Sequence, residues 1–341
     1  MNGEAAEPGE VPHPRLTSAL VGHAAAERLV LDAYRSGRMP HAWLIGGPAG
    51  IGKATLAYRI ARYVLAHPDP RQAAGTSTLA VDPAHPAAKR IAAQAHPDLL
   101  VLQRSENERG TLRTTIAVDD ARRTVQFFGS TAGEGGWRVC IVDSADELNA
   151  SSANALLKII EEPPSRSLLL LVSHAPGRLL PTIRSRCRRL MLSPLAREEV
   201  LAAAARATGR SHDDPALAAA ADAAEGSVGR AISLLEGETL ALLDRINALL
   251  ARLPDVDPEA LHDLGDRLSG TDPGVLATFL DAVTAWLVGR LRAERELPRL
   301  AQVAEVWEKV AAAARDVEIY NLERKPLVFS VFGLLADTAR R

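Results

Sequence analysis

One glycine-rich stretch of the sequence carries a single lysine in a pattern suited to phosphate chemistry. Residues 47–53 (GPAGIGK) match the first seven positions of G-x-x-x-x-G-K-[ST], and the candidate binding residues there are Gly47, Gly50, Gly52 and Lys53. Glycines allow backbone N–H groups to surround phosphate oxygens, and the lysine ammonium neutralises phosphate charge. Because a strand-like run precedes this stretch and a helical pattern follows it, we predict a nucleotide-phosphate loop rather than an ordinary glycine turn with a surface lysine.

The eighth position of the pattern departs from the usual sequence. Ala54 stands where a Ser or Thr hydroxyl normally ligates the Mg²⁺ that bridges the β- and γ-phosphates. Thr55 follows and stays among the candidate nucleotide-binding residues, but on a helix its side chain points about 100° away from that of residue 54. The sequence therefore predicts a site where ATP binds weakly or is not hydrolysed, and where Mg²⁺ lacks one of its usual ligands.

A second group of candidate residues follows a continuous apolar run. Asp143 comes directly after the run 137–142, where P-loop NTPases place a metal-associated carboxylate. Ser144 occupies the next position, which in many such enzymes is a glutamate that orients water. Asp146 and Glu147 are acidic, but charges at a helix start explain them better. Two supports of metal-assisted hydrolysis are therefore missing, and we expect no ATP hydrolysis by the isolated chain.

Strand-like and helix-like patterns alternate through the first half of the chain. Continuous apolar runs predict strands, and apolar residues at helical spacing predict the helices between them. This alternation indicates an α/β domain with a mainly parallel sheet. The predicted strands are 42–45, 99–102, 137–142 and 167–173, and the predicted helices are 24–34, 54–66, 87–95, 118–128 and 150–162.

Beyond about residue 194 the strand signal disappears and only helical patterns remain. We predict an α/β domain at 1–193 with an insertion at about 67–110, a small helical lid at 194–237, and an all-helical domain at 238–341. The predicted helices are 197–208, 215–225, 227–236, 239–253, 258–268, 273–297, 301–315 and 317–338, the last interrupted at Pro326.

The helix predicted at 150–162 leads toward a cluster of arginines. Asn149 is a good N-cap for this helix, and Pro163 stops it. Further along, Arg186 lies in Ser-Arg-Cys at the tip of a predicted basic loop with Arg184, Arg188 and Arg189. From composition alone, Arg186 would be an ordinary surface arginine. The predicted buried face of the helix is Ala153, Leu156, Leu157 and Ile160.

The overall composition restricts the class of protein. The chain has 341 residues, 47% of them hydrophobic, and a formal net charge of -2, so no global basic field points to nucleic acid. Its two cysteines cannot form a disulfide framework or a cysteine zinc site. The acidic, proline-containing start does not read as a signal peptide, and the run 168–172 is too short to span a bilayer. We therefore expect a soluble cytoplasmic protein with a polar tail at 1–15.

Several motifs together resemble the clamp-loader branch of the AAA+ ATPases. Residues 153–164 (ANALLKIIEEPP) and 185–187 (SRC) are highly specific in combination, and 20–23 (LVGH) and 39–42 (MPHA) are further matches. Within the branch the chain is most similar to the delta-prime family of bacterial DNA polymerase III, whose members often have impaired nucleotide sites. The resemblance covers about residues 20–236, and the helical tail fits it in length and class only.

The resemblance implies a fold, a role and partners. It implies an AAA+ P-loop domain, a lid and a collar domain for oligomerisation in a hetero-pentamer. The implied partners are the gamma/tau motor subunits, the delta opener subunit, the sliding clamp and, through the complex, primer-template DNA, within DNA polymerase III holoenzyme. Arg186 matches the arginine finger that reaches the ATP of an adjacent motor subunit, a role suited to a planar, always charged guanidinium.

Three features depart from the family pattern or leave it open. Gly229 occupies the expected position of the second sensor arginine, and Arg230, the remaining candidate sensor, comes one residue late. Ser173 or His174 lies where the family has a polar sensor, although a strand-capping polar pair is an equal alternative. The insertion lacks the cysteines of the family's zinc module. We predict no zinc and read its remaining histidines, His67, His85 and His96, as loop residues.

Three functions remain open from the sequence. The preferred one is a non-motor subunit that supplies Arg186 to a neighbour. A second is an active AAA+ ATPase of the motor type in which Thr55 and Asp146 or Glu147 serve unusually. A third is a non-catalytic scaffold in which Arg186 packs at an interface.

Overall fold

The fold is described by a computed structural model that covers most of the chain. The residues described are 13–73, 76–105, 113, 115–130, 132–133, 136–235, 239–270, 273–320 and 322–340. Most of the polar tail predicted at 1–15 and parts of the insertion predicted at 67–110 lie outside these ranges. The chain divides into two compact units between Ser233 and Leu234. The three domain boundaries drawn from the sequence stay predictions.

The first unit is organised around a parallel β-sheet. In the described residues the sheet has five strands in the order β2-β3-β4-β1-β5, and every neighbouring pair is parallel. Crossover helices connect parallel strands and cover both faces of the sheet, so the interior strands are largely apolar. The strands are β1 (Ala42–Gly46), β2 (Leu99–Leu102), β3 (Arg138–Val142), β4 (Ser167–Ser173) and β5 (Arg188–Met191).

Alternating strand residues form two cores, one on each face of the sheet. One core packs Trp43, Ile45 and Val172 against the first two helices, and the other packs Leu44 and Leu171 against the helices that follow β2 and β3. The helices of this unit are α1 (Ala24–Arg35), α2 (Lys53–Ala66), α3 (Pro86–Ala92), α4 (Val118–Gly129), α5 (Ala150–Glu161), α6 (Pro181–Arg186), α7 (Arg197–Thr208), α8 (Pro215–Ala223) and α9 (Val228–Leu235).

The predicted basic loop around Arg186 is wrong in its local structure. Pro181 begins a short helix, α6, which ends at Arg186, and β5 starts at Arg188 as an edge strand beside β1. Proline suits the first turn of a helix because it needs no N–H partner there. Ile183 and Cys187 are buried, so this segment is fixed to the core.

Two further details differ from the predicted pattern. In α5, Ile159 is buried and Leu157 is only partly buried, because the face toward the sheet is shifted by part of a turn. Near the C-terminus, Pro326 lies inside the first turn of a helix that begins at Arg324, so it does not interrupt that helix.

The second unit is helical in all of its described segments. Its core contains Phe279, Val283, Leu287, Val331 and Phe332, which are almost fully buried. Together with the sheet of the first unit, this confirms the predicted fold class, an α/β domain followed by helical segments. The helices are α10 (Thr239–Ala251), α11 (Pro258–Leu268), α12 (Pro273–Ala293), α13 (Leu297–Tyr320) and α14 (Arg324–Arg340).

One stretch of α12 has membrane-like composition. Within the described residues, Gly274–Ala293 is the single helix long and apolar enough to cross a bilayer. One such helix is weak evidence of a membrane span, and α12 packs against α10 and α13 in this unit.

Candidate functional site

The candidate nucleotide residues lie together because the sheet is parallel. The glycine-rich loop follows β1, Asp143 follows β3 and His174 follows β4. Because β1, β4 and β3 are neighbours, their carboxyl ends lie side by side, as they do where α/β sheets bind ligands. This row of loops is called the carboxyl edge below.

A cavity of about 210 Å³ opens at the carboxyl edge. Its lining combines the glycine-rich loop, an N-terminal segment and helices α7 and α9. Ala54 and Thr55 both line it, as do Asp143 and His174, whereas Ser173 is fully buried at the strand end. The remaining lining residues are Pro14, Thr17, Ala19, Leu20, Val21, Gly50, Ile51, Gly52, Lys53, Val172, Leu195, Ala203, Ala207, Val228, Gly229 and Ile232.

The glycine-rich loop has the backbone that its sequence requires. Gly47, Gly50 and Gly52 have φ values of 144°, 72° and 99°, which residues with a Cβ rarely adopt. Lys53 starts α2 and is only 3% exposed, and its Nζ donates a hydrogen bond to the Pro48 carbonyl of the same loop. Burial lowers the Lys53 pKa to about 8, although Asp146 and Asp143 oppose this shift. The ammonium therefore points at its own backbone.

The first turn of α9 lies directly against the same loop. The backbone N–H of Gly229 donates to the Gly50 carbonyl at 3.0 Å. A Cβ added to Gly50 would stand 2.2 Å from Ser227 Oγ, and one added to Gly229 would stand 3.1 Å from Gly50 Cα. This close approach is possible because both residues are glycines.

The two candidate arginine-sensor positions have different surroundings. Gly229 lines the cavity, whereas Arg230 is not among the lining residues and pairs with Glu225 at 3.5 Å. The sensor role of Arg230 stays a prediction.

Polar side chains at the ends of β3 and β4 form a small network. Ser144 Oγ lies 3.2 Å from His174 Nε2, and the His174 backbone N–H donates to Asp146 Oδ1 at 2.8 Å. Burial raises the Asp143 pKa. At Asp146 burial is the largest single influence and also raises the pKa, but the hydrogen bonds to this carboxyl, led by that from the His174 N–H, together outweigh burial and lower the pKa. Ser144 has a φ of 58°, a strained value for serine. Asp146 is thus engaged with the protein backbone.

Two buried arginines that the sequence reading did not single out fix the N-terminal wall of the cavity. Arg59 Nη1 donates to the Ser18 carbonyl, and Arg62 Nη1 donates to the Thr17 carbonyl at 2.8 Å. Glu27 holds Arg59 through an ion pair of 2.9 Å. A signal was present in the sequence, because arginines one turn apart inside the apolar helix α2 require internal acceptors.

These contacts decide how well the site suits ATP with Mg²⁺. The cavity is smaller than the roughly 300–1,000 Å³ of typical small-molecule sites. The Lys53 ammonium is bonded to the Pro48 carbonyl, and Ala54 supplies no metal ligand. In this arrangement the residues present do not fit a metal-bound triphosphate, so no hydrolytic step is assigned to this site.

Arg186 lies at the opposite edge of the same sheet. Arg188, the first residue of β5, is paired with Trp43, while Met191 is paired with Gly46 beside the glycine-rich loop. Three strand residues separate these levels, a distance of about 10 Å. Arg186 precedes Arg188, so it lies at the amino ends of the strands, called the amino edge below. Its side chain is 42% exposed.

The insertion shows no metal centre in the part that the structure describes. No group of three His, Cys, Asp or Glu residues suited to a metal occurs among the described residues. Backbone groups occupy one ring nitrogen of each of the three histidines of this region. His67 Nδ1 contacts the Tyr63 carbonyl at 3.0 Å, His85 accepts from the Ala87 N–H, and His96 accepts from the Asp98 N–H.

Comparison with known proteins agrees with this architecture. A parallel sheet with a glycine-rich loop after its first strand is the arrangement of a P-loop protein. Residues 22–196 match the model of the family described as DNA polymerase III, delta subunit, and the chain belongs to that family.

Individual relatives carry delta-prime and tau names. The chain is 43% identical over 148 residues to DNA polymerase III subunit delta' of Pseudomonas aeruginosa, covering 43% of this chain and 41% of that protein. It is 34% identical over 213 residues to the Escherichia coli subunit delta', covering 62% and 59%. It is also 25% identical over 337 residues to E. coli subunit tau, covering 93% and 48%. The chain thus spans roughly two-fifths to three-fifths of the length of these relatives.

Proposed function

We propose that this chain is the non-motor, delta-prime-type subunit of a bacterial clamp loader. It supplies Arg186 to the ATP site of an adjacent motor subunit during ATP-driven loading of the sliding clamp onto primed DNA. Its implied partners are gamma/tau motor subunits, the delta opener, the clamp and, through the complex, primer-template DNA. Its place of action is the cytoplasm, within the DNA polymerase III holoenzyme.

The location of Arg186 carries this proposal. The guanidinium is exposed at the amino edge, whereas the chain's own phosphate loop lies at the carboxyl edge. An arginine on the far side of the sheet cannot contact phosphates bound at that loop. A role in nucleotide chemistry therefore requires a nucleotide held by another chain, where a guanidinium would stabilise the charge that develops on the transferring phosphoryl group.

The carboxyl edge supports the non-motor half of the proposal. Ala54 offers no hydroxyl to Mg²⁺, and Ser144 replaces the water-orienting carboxylate. Each of these changes removes a separate support for hydrolysis. We therefore expect no ATP turnover by the isolated chain.

The test uses a reconstituted loader in which only the neighbouring motor site remains active. Every preparation carries a replacement of the phosphate-loop lysine in each motor subunit except the one adjacent to this chain, so that only that subunit hydrolyses ATP. We expect Arg186→Ala to reduce the remaining ATP turnover by roughly 1,000-fold or more. Arg189→Ala is the matched control, because it removes an exposed arginine three residues away. If the Arg186→Ala complex assembles and its ATP turnover is unchanged, Arg186 is not an arginine finger, and the chain acts as a non-catalytic scaffold.

A motor-type ATPase is the second candidate function. The observation in its favour is the alignment with E. coli tau, which extends over 93% of this chain. The decisive measurement is ATP turnover by the purified chain alone. Robust Mg²⁺-dependent turnover that disappears in Lys53→Ala would replace the non-motor proposal with this one.

A further inference from the structure

An ion pair fixes the Arg186 guanidinium within its own subunit. Arg186 Nη2 lies 3.0 Å from Glu161 Oε1, and Arg186 Nη1 donates to the Thr182 carbonyl at 3.1 Å. Both terminal nitrogens are therefore held, one by Glu161 of α5 and one by the Thr182 carbonyl in the first turn of α6. The side chains of Arg186 and Glu161 are still 42% and 47% exposed, so the outer side of the pair remains open to solvent.

The backbone on each side of this pair is rigidly placed. Ile160, just before Glu161, is 2% exposed, and its carbonyl contacts His41 Nε2 at 2.9 Å. Ile183 is fully buried one turn before Arg186, and Cys187 is 8% exposed directly after it. The two side chains thus meet from positions that the core fixes, as precise placement of a functional group requires.

The position of Glu161 is unfavourable by the rules of helix stability. It is the last residue of α5, where the helix dipole disfavours a carboxylate, and a second acid, Glu162, follows it. An exposed ion pair also contributes little to folding stability. Local stability therefore gives no reason for a carboxylate here, whereas the orientation of a neighbouring arginine does. Departures from local rules of this kind are expected at functional sites.

We propose that Glu161 is a positioning residue for Arg186. This inference rests on the proposed function, because it assumes that Arg186 acts on a neighbour's nucleotide. Glu161 and the Thr182 carbonyl hold the inner side of the guanidinium, so that its outer N–H groups face the adjacent subunit before ATP arrives. Because the guanidinium is already positioned, the long side chain need not be ordered during the reaction. Glu161 is therefore expected to raise kcat without changing the affinity for ATP.

The experiment uses the loader with one active motor site, as for Arg186. We expect Glu161→Ala to lower kcat about tenfold with the KM for ATP unchanged, and Glu161→Gln to have a smaller effect because it keeps one acceptor oxygen. Glu162→Ala is the matched control, since Glu162 is exposed and forms no ion pair with a described residue. Thermal unfolding and assembly of the subunit are expected to stay unchanged in all three variants.

A double variant separates positioning from other roles. If Glu161 acts through Arg186, then Arg186→Ala/Glu161→Ala will be no slower than Arg186→Ala alone. The inference would be overturned by additive losses in the double variant. It would also be overturned if Glu161→Ala had the same kcat as Glu162→Ala, or turned over ATP faster than the natural chain. If Arg186→Ala itself has no effect, the proposed function fails first. A loss in Arg186→Ala without a loss in Glu161→Ala leaves that function standing and removes only the positioning role.

Discussion

The polar groups at the two edges of the sheet differ in what they are bonded to. At the carboxyl edge the polar groups of the phosphate loop are bonded to the chain itself, Lys53 to Pro48 and Gly50 to Gly229. At the amino edge, Arg186 is anchored on its inner side and exposed on its outer side. The same parallel sheet therefore carries an internally satisfied site at one end and an outward-facing cation at the other.

This difference predicts that substitutions at the two edges have different effects on stability. Polar groups of the phosphate loop at the carboxyl edge form internal contacts, so replacing them alters the stability of the fold. The exposed ion pair of Arg186 at the amino edge contributes little to stability. Substitutions at the carboxyl edge should therefore change the free energy of unfolding, and those at the amino edge should not.

The largest effect on stability is expected at Gly50. Gly50→Ala places a Cβ 2.2 Å from Ser227 Oγ at a positive φ, so strain and overpacking combine to about 2–4 kcal/mol. Gly209 has a similar φ of 68° with nothing within 4 Å, so Gly209→Ala should cost about 1 kcal/mol from strain alone. Urea unfolding of both variants measures the contact between α9 and the loop. Equal losses would show that this contact adds nothing.

A smaller effect with a defined pH dependence is expected at Lys53. Its pKa is about 8 in the folded chain against an ordinary 10.5, so between these values the unfolded chain binds more protons. The free energy of unfolding therefore rises with pH across this window. Lys53→Met lacks the buried charge and should be more stable than the natural chain at pH 7 by about 1 kcal/mol, because loss of the hydrogen bond to Pro48 offsets part of the gain.

The Lys53→Met advantage should close as pH rises from 8 toward 10, because the natural lysine then loses its proton in the folded chain. Urea unfolding at several pH values follows this change, with the exposed Lys158→Met as control. A constant difference across the pH range would mean that the Lys53 ammonium is not destabilised by burial.

At Ser144 the expected difference is smaller still. Its φ of 58° strains any residue with a Cβ, so Ser144→Gly should be more stable than Ser144→Ala by about 0.5–1 kcal/mol. Both variants lose the contact with His174 Nε2, so the difference between their unfolding free energies measures the backbone strain at this position. Equal unfolding free energies would show that the backbone relaxes when the side chain is removed.

The central strands could be predicted from the sequence because strands buried on both faces appear as continuous apolar runs. β1, β3 and β4 are covered on both faces, so their residues are apolar without interruption. β5 was missed because it is an edge strand with exposed Arg188, Arg189 and Met191, which breaks the apolar run. Helix α6 is too short to show a helical period.

For the candidate site, local patterns predicted which residues follow each strand, and the parallel sheet brought them together. The contact between Gly50 and Gly229 could not be predicted, because it joins distant segments through backbone atoms that have no sequence signature. The ion pair of Glu161 with Arg186 could not be predicted either, because it joins side chains from two separate helices. The motif identifies both residues, but only the fold shows that their side chains meet.

The smallest effect on stability is expected at Arg186 itself, and it is the sharpest test of the difference between the edges. Its ion pair with Glu161 is exposed, so Arg186→Ala should change the free energy of unfolding by no more than about 0.5 kcal/mol. The same variant should reduce the neighbour's ATP turnover by orders of magnitude. A loss of stability above about 1.5 kcal/mol would mean that Arg186 is mainly a structural residue, because a lower rate would then follow from a damaged subunit. Urea unfolding of the isolated chain therefore has to accompany every rate measurement, since only an unchanged stability lets the rate be attributed to the guanidinium.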